Sequence, residues 1–314
     1  MDYKNCYYKS RFVYDAREYL SAIRENYFFV TYNPRNRKKM LEEIERIINY
    51  NSSVDLYAYA HLLYDDKSKS SLDKAYNILD LLVSWDYVPA KYLLGQMYYF
   101  GAHIDKDLKK FFQLSKEAAD SNFTIAKNAL ALAYFYGYGC KVDFAKGREC
   151  LEECVKAKYG VAYYNTGVGY MQGSLGYPKN PTKALEYFQE ASYQHYSSAS
   201  YNLGLIYLSG KDCVKNVKKG IEELIEAAAF GHVNAQKKLG DIYYFGEITS
   251  KNLEKAYSYY LMAAENGDAY SMYSVGYMNL KKEIARSDRY VGLDWLRKAS
   301  YLGYEGATKM LQNL

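Results

Sequence analysis

The chain has 314 residues, of which 49% are hydrophobic and 25% are charged, a balance typical of a folded protein. A net charge of +5 is small for this length, so we expect no nucleic-acid partner, which would favour a strongly basic face. The start of the chain shows no apolar signal segment, and no stretch is long and apolar enough to span a membrane. The five cysteines lack the spacing of a disulfide framework, which favours reduced thiols and a cytoplasmic location.

Residues 1–51 lie outside the regular part of the sequence. The apolar spacing predicts one helix from Tyr14 to Phe29, and Asn33 followed by Pro34 predicts the start of a second helix. We interpret residues 1–51 as an N-terminal helical cap or degenerate repeat. Terminal repeats depart from the pattern because one of their faces meets water.

From residue 52 onward the sequence repeats every 36 or 37 residues, a period typical of helical solenoids. One small residue recurs in phase at Ala90, Ala126, Ala162, Ala199, Ala235, Ser271 and Ala307. The predicted repeats are residues 52–87, 88–123, 124–159, 160–196, 197–232, 233–268 and 269–304, and residues 305–314 form a C-terminal half-repeat that caps the array.

Each repeat is predicted to contain two helices. Five residues after the small residue a glycine recurs, which predicts a close approach of a neighbouring helix: Gly95, Gly167, Gly204, Gly240 and Gly276. Three residues later comes a tyrosine that we expect to pack between helices, called here the ladder tyrosine: Tyr98, Tyr134, Tyr170, Tyr207 and Tyr243.

The second helix of each repeat has predictable ends. Its start carries a residue of the N-cap class: Ser71, Asp107, Asp143, Asn180, Asn216, Asn252 and Asp288. Its end has one shared position, at which all residues but Lys158 are of the types that best tolerate a left-handed backbone: Asp86, Asn122, Lys158, His195, Gly231, Gly267 and Gly303. The seventh repeat departs from the pattern, with Asn279 at the ladder position and Lys282 at the loop glycine, so we expect residues 269–314 to open first.

The pattern from Ala199 to Gly204, followed by Tyr207, Gly210, Asn216 and the segment Ala227–His232, resembles the Sel1-like repeat, a relative of the tetratricopeptide repeat. The resemblance covers about residues 52–314. It implies an all-α fold, a right-handed α-solenoid superhelix of stacked antiparallel helix pairs in one continuous domain. It also implies an adaptor or scaffold, expected here in a bacterial cytoplasm.

In related repeats the first helices form a concave wall, and two positions soon after the small residue face a partner. The residues at these positions, together with their neighbours, are the candidate partner-binding set: Tyr92, Asn128, Tyr164, Asn165, Tyr201, Asn202, Lys237, Lys238 and Tyr273. Asparagine can bond both backbone groups of an extended peptide, tyrosine offers contact area, and lysine attracts a carboxylate. In the alternative interpretation Tyr-Asn is only the common repeat sequence and the lysines are solvated. The Asn, Asn, Lys order is similar to part of a carboxylate clamp, but Val161 and Asn234 replace its further basic residues.

No catalytic, cofactor or metal site is predicted, because His61, His103, His195 and His232 do not occur at ligand spacing. We therefore expect a non-enzymatic scaffold that binds a protein or peptide partner in a Tyr/Asn-rich groove. Two alternatives stay open: an immunity or inhibitor protein that clasps a toxin or enzyme, and an enzyme that acts on a small cell-wall-type substrate. A monomer is expected, with a homodimer as the alternative.

Overall fold

The computed structural model describes residues 10–13, 16–24, 29–32 and 37–314. The chain divides into two compact units. One comprises Met1–Gly169 with Gly173–Pro178, and the other comprises Tyr170–Gln172 with Lys179–Leu314. In both units, consecutive helices are joined by short connections and pack as antiparallel pairs.

The first unit contains two short strands and a series of helices. Its elements are β1 (Ser10–Val13), α1 (Ala16–Arg24), β2 (Phe29–Tyr32), α2 (Arg37–Ile47), α3 (Ser53–Asp66), α4 (Lys69–Ser84), α5 (Val88–Phe100), α6 (Leu108–Asp120), α7 (Thr124–Tyr136) and α8 (Phe144–Lys156). Helix α9 (Gly160–Gln172) belongs to this unit as far as Gly169.

The second unit is entirely helical. It contains α10 (Pro181–Tyr193), α11 (Ser197–Ser209), α12 (Val217–Ala229), α13 (Val233–Phe245), α14 (Leu253–Glu265), α15 (Ala269–Leu280), α16 (Arg289–Tyr301) and α17 (Glu305–Gln312). From repeat 88–123 onward, the odd-numbered helices are the first helices of their repeats and the even-numbered ones are the second helices.

The N-terminal region differs from the prediction of one helix over Tyr14–Phe29. Within that range the described residues form α1 and the start of β2 at Phe29. Strand β2 pairs in parallel with β1 in a register that places Ser10 opposite Phe29. The sequence FVTY of β2 is rich in aromatic and β-branched residues, which favour a strand over a helix. The predicted start at Asn33 and Pro34 lies outside the described residues, and α2 begins at Arg37.

The recurring small residues lie where helices touch. Ala90, Ala126, Ala199 and Ala235 are fully buried. The recurring glycines bring helix backbones close together, as in α11 and α12, where a Cβ on Gly204 would stand 3.0 Å from the carbonyl oxygen of Gly220 and 2.7 Å from the side chain of Leu224. The close approach predicted from the sequence is therefore present at this pair.

The predicted helix ends are confirmed with one correction. The backbone is left-handed at Asp86, Asn122, Lys158, His195, Gly231, Gly267 and Gly303. The side chains of Asp107, Asp143, Asn180, Asn216, Asn252 and Asp288 accept hydrogen bonds from N–H groups of the first turn. Ser71 is not a cap, because Ser68 accepts from the Ser71 N–H and the Ser71 hydroxyl donates to Asp66.

Each ladder tyrosine carries a lysine ammonium over its ring. The distances from Nζ to the ring centroid range from 4.5 to 5.7 Å in the pairs Lys110–Tyr98, Lys146–Tyr134, Lys183–Tyr170, Lys219–Tyr207 and Lys255–Tyr243. Every one of these lysines stands three residues after the N-cap of a second helix. The cap therefore aims the lysine at the tyrosine of its own repeat, which adds a cation–π contact to the packing predicted from the sequence.

Candidate partner-binding site

The wall tyrosines, two residues after the small residue, pack against the next first helix in their own unit. Their ring centroids lie 6.0 Å apart in Tyr92–Phe123, 4.5 Å apart in Tyr201–His232 and 5.1 Å apart in Tyr273–Tyr304. In each pair the second residue is the N-cap of the following first helix. These tyrosines thus help to hold successive repeats together, whatever else they contact.

In the first unit, two of the candidate residues point inward. Burial raises the pKa of Tyr92 above its usual range, and the side chain of Asn128 is only 7% exposed. The amide group of Asn165 donates a hydrogen bond of 3.0 Å to the side-chain oxygen of Asn128. Tyr164 and Asn165 are half-buried on α9. The asparagine pair is consequently engaged within the unit, and its amides bond each other.

In the second unit, the candidate residues lie on three successive first helices. Tyr201 and Asn202 are half-buried on α11, and Lys237 and Lys238 are half-buried on α13. The ammonium of Lys237 lies 5.9 Å from the ring centroid of Tyr270, at the start of α15. The lysines therefore stand beside an aromatic surface that belongs to α13 and α15.

That surface contains a cavity of about 260 Å³, called here the aromatic cavity. Its tyrosines come from α13, α14 and α15, and its full lining is Tyr244, Phe245, Tyr260, Tyr270, Tyr273, Ser274, Tyr277 and Met278. Phe245 is 57% exposed, so a large apolar group meets solvent at the cavity. The volume falls just below the range of about 300–1,000 Å³ that is usual for small-molecule sites. It suits one large side chain better than a whole cofactor.

A second cavity of about 290 Å³ adjoins the first and shares Phe245 and Tyr270 with it. It adds charged residues from α13 and the loop after it, among them Lys238, Asp241 and Glu247. Together the two cavities offer an aromatic slot with lysine and carboxylate groups at its side.

Hydrogen bonds from tyrosine hydroxyls fix the rings of the aromatic cavity. Tyr260 and Tyr270 donate to the same carboxylate oxygen of Asp241, at 2.8 and 3.3 Å, and Tyr244 donates to Glu283 at 3.3 Å. Burial, with Glu283 beside it, raises the pKa of Tyr244 to about 12. Burial likewise raises the pKa of Tyr270. The hydroxyls therefore stay protonated at neutral pH and hold the rings in place as donors.

The Sel1 repeat family model matches residues 88–123, 124–153, 160–196, 197–229, 233–268 and 269–304, which is more than half of the chain. This chain is a Sel1 repeat protein. The predicted family is confirmed. The first predicted copy, residues 52–87, folds as the helix pair α3 and α4 but is not among the matched segments, so its membership of the series stays a prediction.

Solved structures agree with the Sel1 fold. A Sel1 repeat protein from Oxalobacter formigenes is 26% identical, with a TM-score of 0.62, and the match covers 77% of this chain and 98% of that one. The c5321 protective antigen of uropathogenic Escherichia coli, which displays an SLR fold, is 21% identical, with a TM-score of 0.59 and coverage of 85% and 57%. The predicted all-α solenoid of repeats is confirmed, with β1 and β2 as an N-terminal addition.

One curated relative of this Sel1 repeat protein is the ERAD-associated E3 ubiquitin-protein ligase component HRD3B of Arabidopsis thaliana. The two are 33% identical over 108 residues, which is 34% of this chain and 17% of that protein. The chain thus spans less than a fifth of that relative's length. The likeness covers a few repeats. The activity and partners of the whole Arabidopsis protein are therefore not assigned to this chain.

The sequence identified only part of the aromatic cavity of this Sel1 repeat protein. Of the candidate set, Tyr273 lines it, Lys238 lines its neighbour and Lys237 covers Tyr270. Tyr201 and Asn202 lie on α11 and line neither cavity, and the candidates on α5, α7 and α9 belong to the first unit. Tyr270 and Tyr277 were missed, because the candidate set was drawn from the positions two and three residues after the small residue, and neither tyrosine stands there.

Among the residues that the structure describes, no three His, Cys, Asp or Glu side chains are grouped to hold a metal ion. No helix in that part of the chain has the length and apolar character needed to cross a membrane. Cys154 is fully buried, and burial raises its thiol pKa far above the usual range, consistent with a packing role.

Proposed function

We propose that this Sel1 repeat protein is a non-enzymatic scaffold that captures a protein or peptide segment on the first-helix face of its second unit. The observation that carries the proposal is the aromatic cavity, in which four half-buried tyrosines surround a space for one large side chain. Interfaces concentrate their binding energy in a few such aromatic residues, and the family of helical repeats supplies the scaffold role.

The predicted wall residues are given different roles in the proposal. Tyr273, Lys237 and Lys238 are assigned to the partner because they line or border the two cavities. Tyr201 and Asn202 extend the same first-helix face on α11 and are assigned a lesser contact. Tyr92, Asn128, Tyr164 and Asn165 are assigned to the first unit, where the contacts of Asn128 with Asn165 favour packing over binding.

The test compares two double variants by affinity capture from the source cell followed by mass spectrometry. One removes cavity rings, Tyr273→Ala with Tyr277→Ala, and the other removes exposed rings on α16, Tyr290→Ala with Tyr301→Ala. Tyr290 and Tyr301 are 83% and 91% exposed, so their removal changes the tyrosine count without touching the cavity. We expect the wild type and the α16 variant to capture the same partner and the cavity variant to lose it.

Circular dichroism of each variant shows whether helicity is retained, so that loss of capture is not loss of folding. Tyr277→Phe serves as a milder variant that keeps the ring, and it should retain capture. Equal capture by the cavity variant and the wild type would refute the proposed site. A third variant, Tyr201→Ala with Asn202→Ala, measures the contribution of α11, which we expect to be smaller.

The identity of the captured protein separates the alternatives. A single toxic enzyme encoded beside this gene would favour an immunity or inhibitor protein over a general adaptor. Turnover in a hydrolase screen on cell-wall fragments would favour an enzyme and contradict the non-enzymatic proposal.

A further inference from the structure

Four lysines border the aromatic cavity. Lys238 lines the adjoining cavity, and the ammonium groups of the other three lie over cavity rings at 5.3 to 6.0 Å: Lys251 over Tyr244, Lys237 over Tyr270 and Lys281 over Tyr277. Positive charge thus reaches the cavity from α13, from the loop that follows α13 and from the end of α15.

None of these four ammonium groups forms an ion pair within the part of the chain that the structure describes. Lysines elsewhere do, for example Lys91, which bonds Glu117 at 3.2 Å, and Lys298, which bonds Asp294 at 2.7 Å. An exposed cation–π contact contributes only about 0.5–1 kcal/mol and leaves the charge in place. The four lysines therefore remain able to pair with carboxylates of another molecule.

Two carboxylates near the cavity, Asp241 and Glu283, bond its rings. Asp241 accepts hydrogen bonds from Tyr260 and Tyr270, and Glu283 accepts one from Tyr244. These bonds position the tyrosines and leave the negative charge of each carboxylate in place. Four lysines against three carboxylates, Asp241, Glu247 and Glu283, leave the border of the aromatic slot with a net positive charge.

We infer that the occupant of the aromatic cavity is an acidic peptide segment that inserts one large apolar or aromatic side chain. Flanking Asp or Glu side chains of that segment pair with Lys237, Lys238, Lys251 and Lys281. The inserted side chain packs edge-to-face on the tyrosines, an arrangement that aromatic pairs favour. This inference rests on the function proposed above and specifies the chemistry of its partner.

A single-stranded nucleic acid would also combine negative charge with stacking rings. The surface is less suited to it, because Asp241, Glu247 and Glu283 stand among the lysines and interrupt the continuous positive stripe that a phosphate backbone requires. Discrete carboxylates at either side of one ring match this alternation of charge better.

The test selects a library of random peptides, displayed with their C-terminal ends fused, against the full chain at low salt. We expect enrichment of peptides in which one aromatic or large apolar residue is flanked by Asp and Glu. The charge-reversed variant Lys238→Glu with Lys281→Glu should lose affinity for the selected peptides by roughly five- to tenfold, a loss that grows as salt is lowered. Tyr277→Ala should lose affinity at every salt concentration.

Lys218→Glu is the matched control, since Lys218 is an exposed lysine of α12 that lines neither of the two cavities. It should bind the selected peptides like the wild type. Enrichment of basic peptides overturns the inference. In that case a cation of the peptide would pair with the buried, unbonded carboxylate oxygen of Glu283. So does enrichment without charge preference, an absence of binders, or tighter binding of a labelled single-stranded oligonucleotide that the same variants abolish.

The experiments distinguish failure of the proposed scaffold site from failure of the proposed acidic partner. If capture from the source cell depends on Tyr273 and Tyr277 but the library shows no preference for acidic peptides, the acidic partner is wrong and the scaffold site stands. If capture does not depend on the cavity, the site itself is wrong.

Discussion

The side-chain oxygen of Asn279 accepts a hydrogen bond of 2.9 Å from the backbone N–H of Asp288. In the earlier repeats the N-cap N–H donates instead to the backbone carbonyl of the ladder tyrosine, as Asn252 does to Tyr243 at 2.8 Å. The seventh repeat lacks both the ladder tyrosine and the lysine over it, whose position Val291 occupies. One short polar side chain thus closes a loop that the other repeats close through the backbone.

We expect Asn279→Ala to lower the free energy of unfolding by about 0.5–1.5 kcal/mol, since it removes the side-chain acceptor of the Asp288 N–H. Asn279 is 2% exposed and also donates to the carbonyl of Val275 at 2.9 Å. Chemical denaturation monitored by circular dichroism measures the change. Tyr290→Ala, on the exposed face of α16, should change stability by less than about 0.5 kcal/mol. Similar effects for the two variants would contradict the role given to Asn279.

Hydrogen exchange tests the order in which repeats open. Residues 269–304 lack the cation–π pair of the ladder, so we expect their amides to exchange before those of residues 197–268. Equal protection of the two segments would mean that the bond between Asn279 and Asp288 compensates fully for the missing tyrosine and lysine.

Substitution by alanine should change the free energy of unfolding in opposite directions at two glycines in equivalent positions. A Cβ on Gly204 would stand 3.0 Å from the carbonyl oxygen of Gly220, whereas a Cβ on Gly95 would have its nearest neighbour at 3.6 Å. Gly204→Ala should destabilise by about 1–3 kcal/mol, because the helix pair must move apart. Gly95→Ala should stabilise by up to about 1 kcal/mol through helix propensity. Thermal and denaturant unfolding give both values, and equal signs would refute the close approach at Gly204.

His232 connects stability to pH. Its ring stacks on Tyr201, and its Nδ1 accepts a hydrogen bond from the Ala235 N–H at 3.2 Å, which requires the neutral ring. Burial lowers the pKa of His232. Below about pH 6.5 the His232 ring therefore binds more protons in the unfolded chain than in the folded one. The contribution of His232 to the free energy of unfolding is present above that pH and is lost as pH falls through the folded-state pKa.

We therefore expect the free energy of unfolding to fall between about pH 7.5 and pH 5 by less in His232→Asn than in the wild type. Asparagine keeps an N-cap acceptor but does not titrate in this range. Burial also lowers the pKa of His61, which contributes in the same direction in both proteins and cancels in the comparison. Parallel pH profiles for the variant and the wild type would show that His232 is not the titrating group.

The candidate site shows which of its residues a repeat pattern can predict and which it cannot. Tyr273 was predicted because it recurs in phase with Tyr92 and Tyr201. Lys238 was predicted because it stands in phase with Asn165 and Asn202, where a lysine would attract a carboxylate. Tyr270 and Tyr277 occupy positions filled by other residues in most copies, so no pattern marked them. Their assembly with Tyr244 depends on the distance between α13 and α15, which no property of a single repeat predicts.

The sequence by itself determined the repeat length, the family, the helix caps and the left-handed helix ends from Asp86 to Gly303, because each of these features is local and recurs at a fixed position. The tertiary structure alone decided which tyrosines form a cavity, which lysines lack a carboxylate partner and how Asn279 replaces a backbone acceptor. These relationships join residues of different helices, and their energies depend on the distances and burial that packing creates.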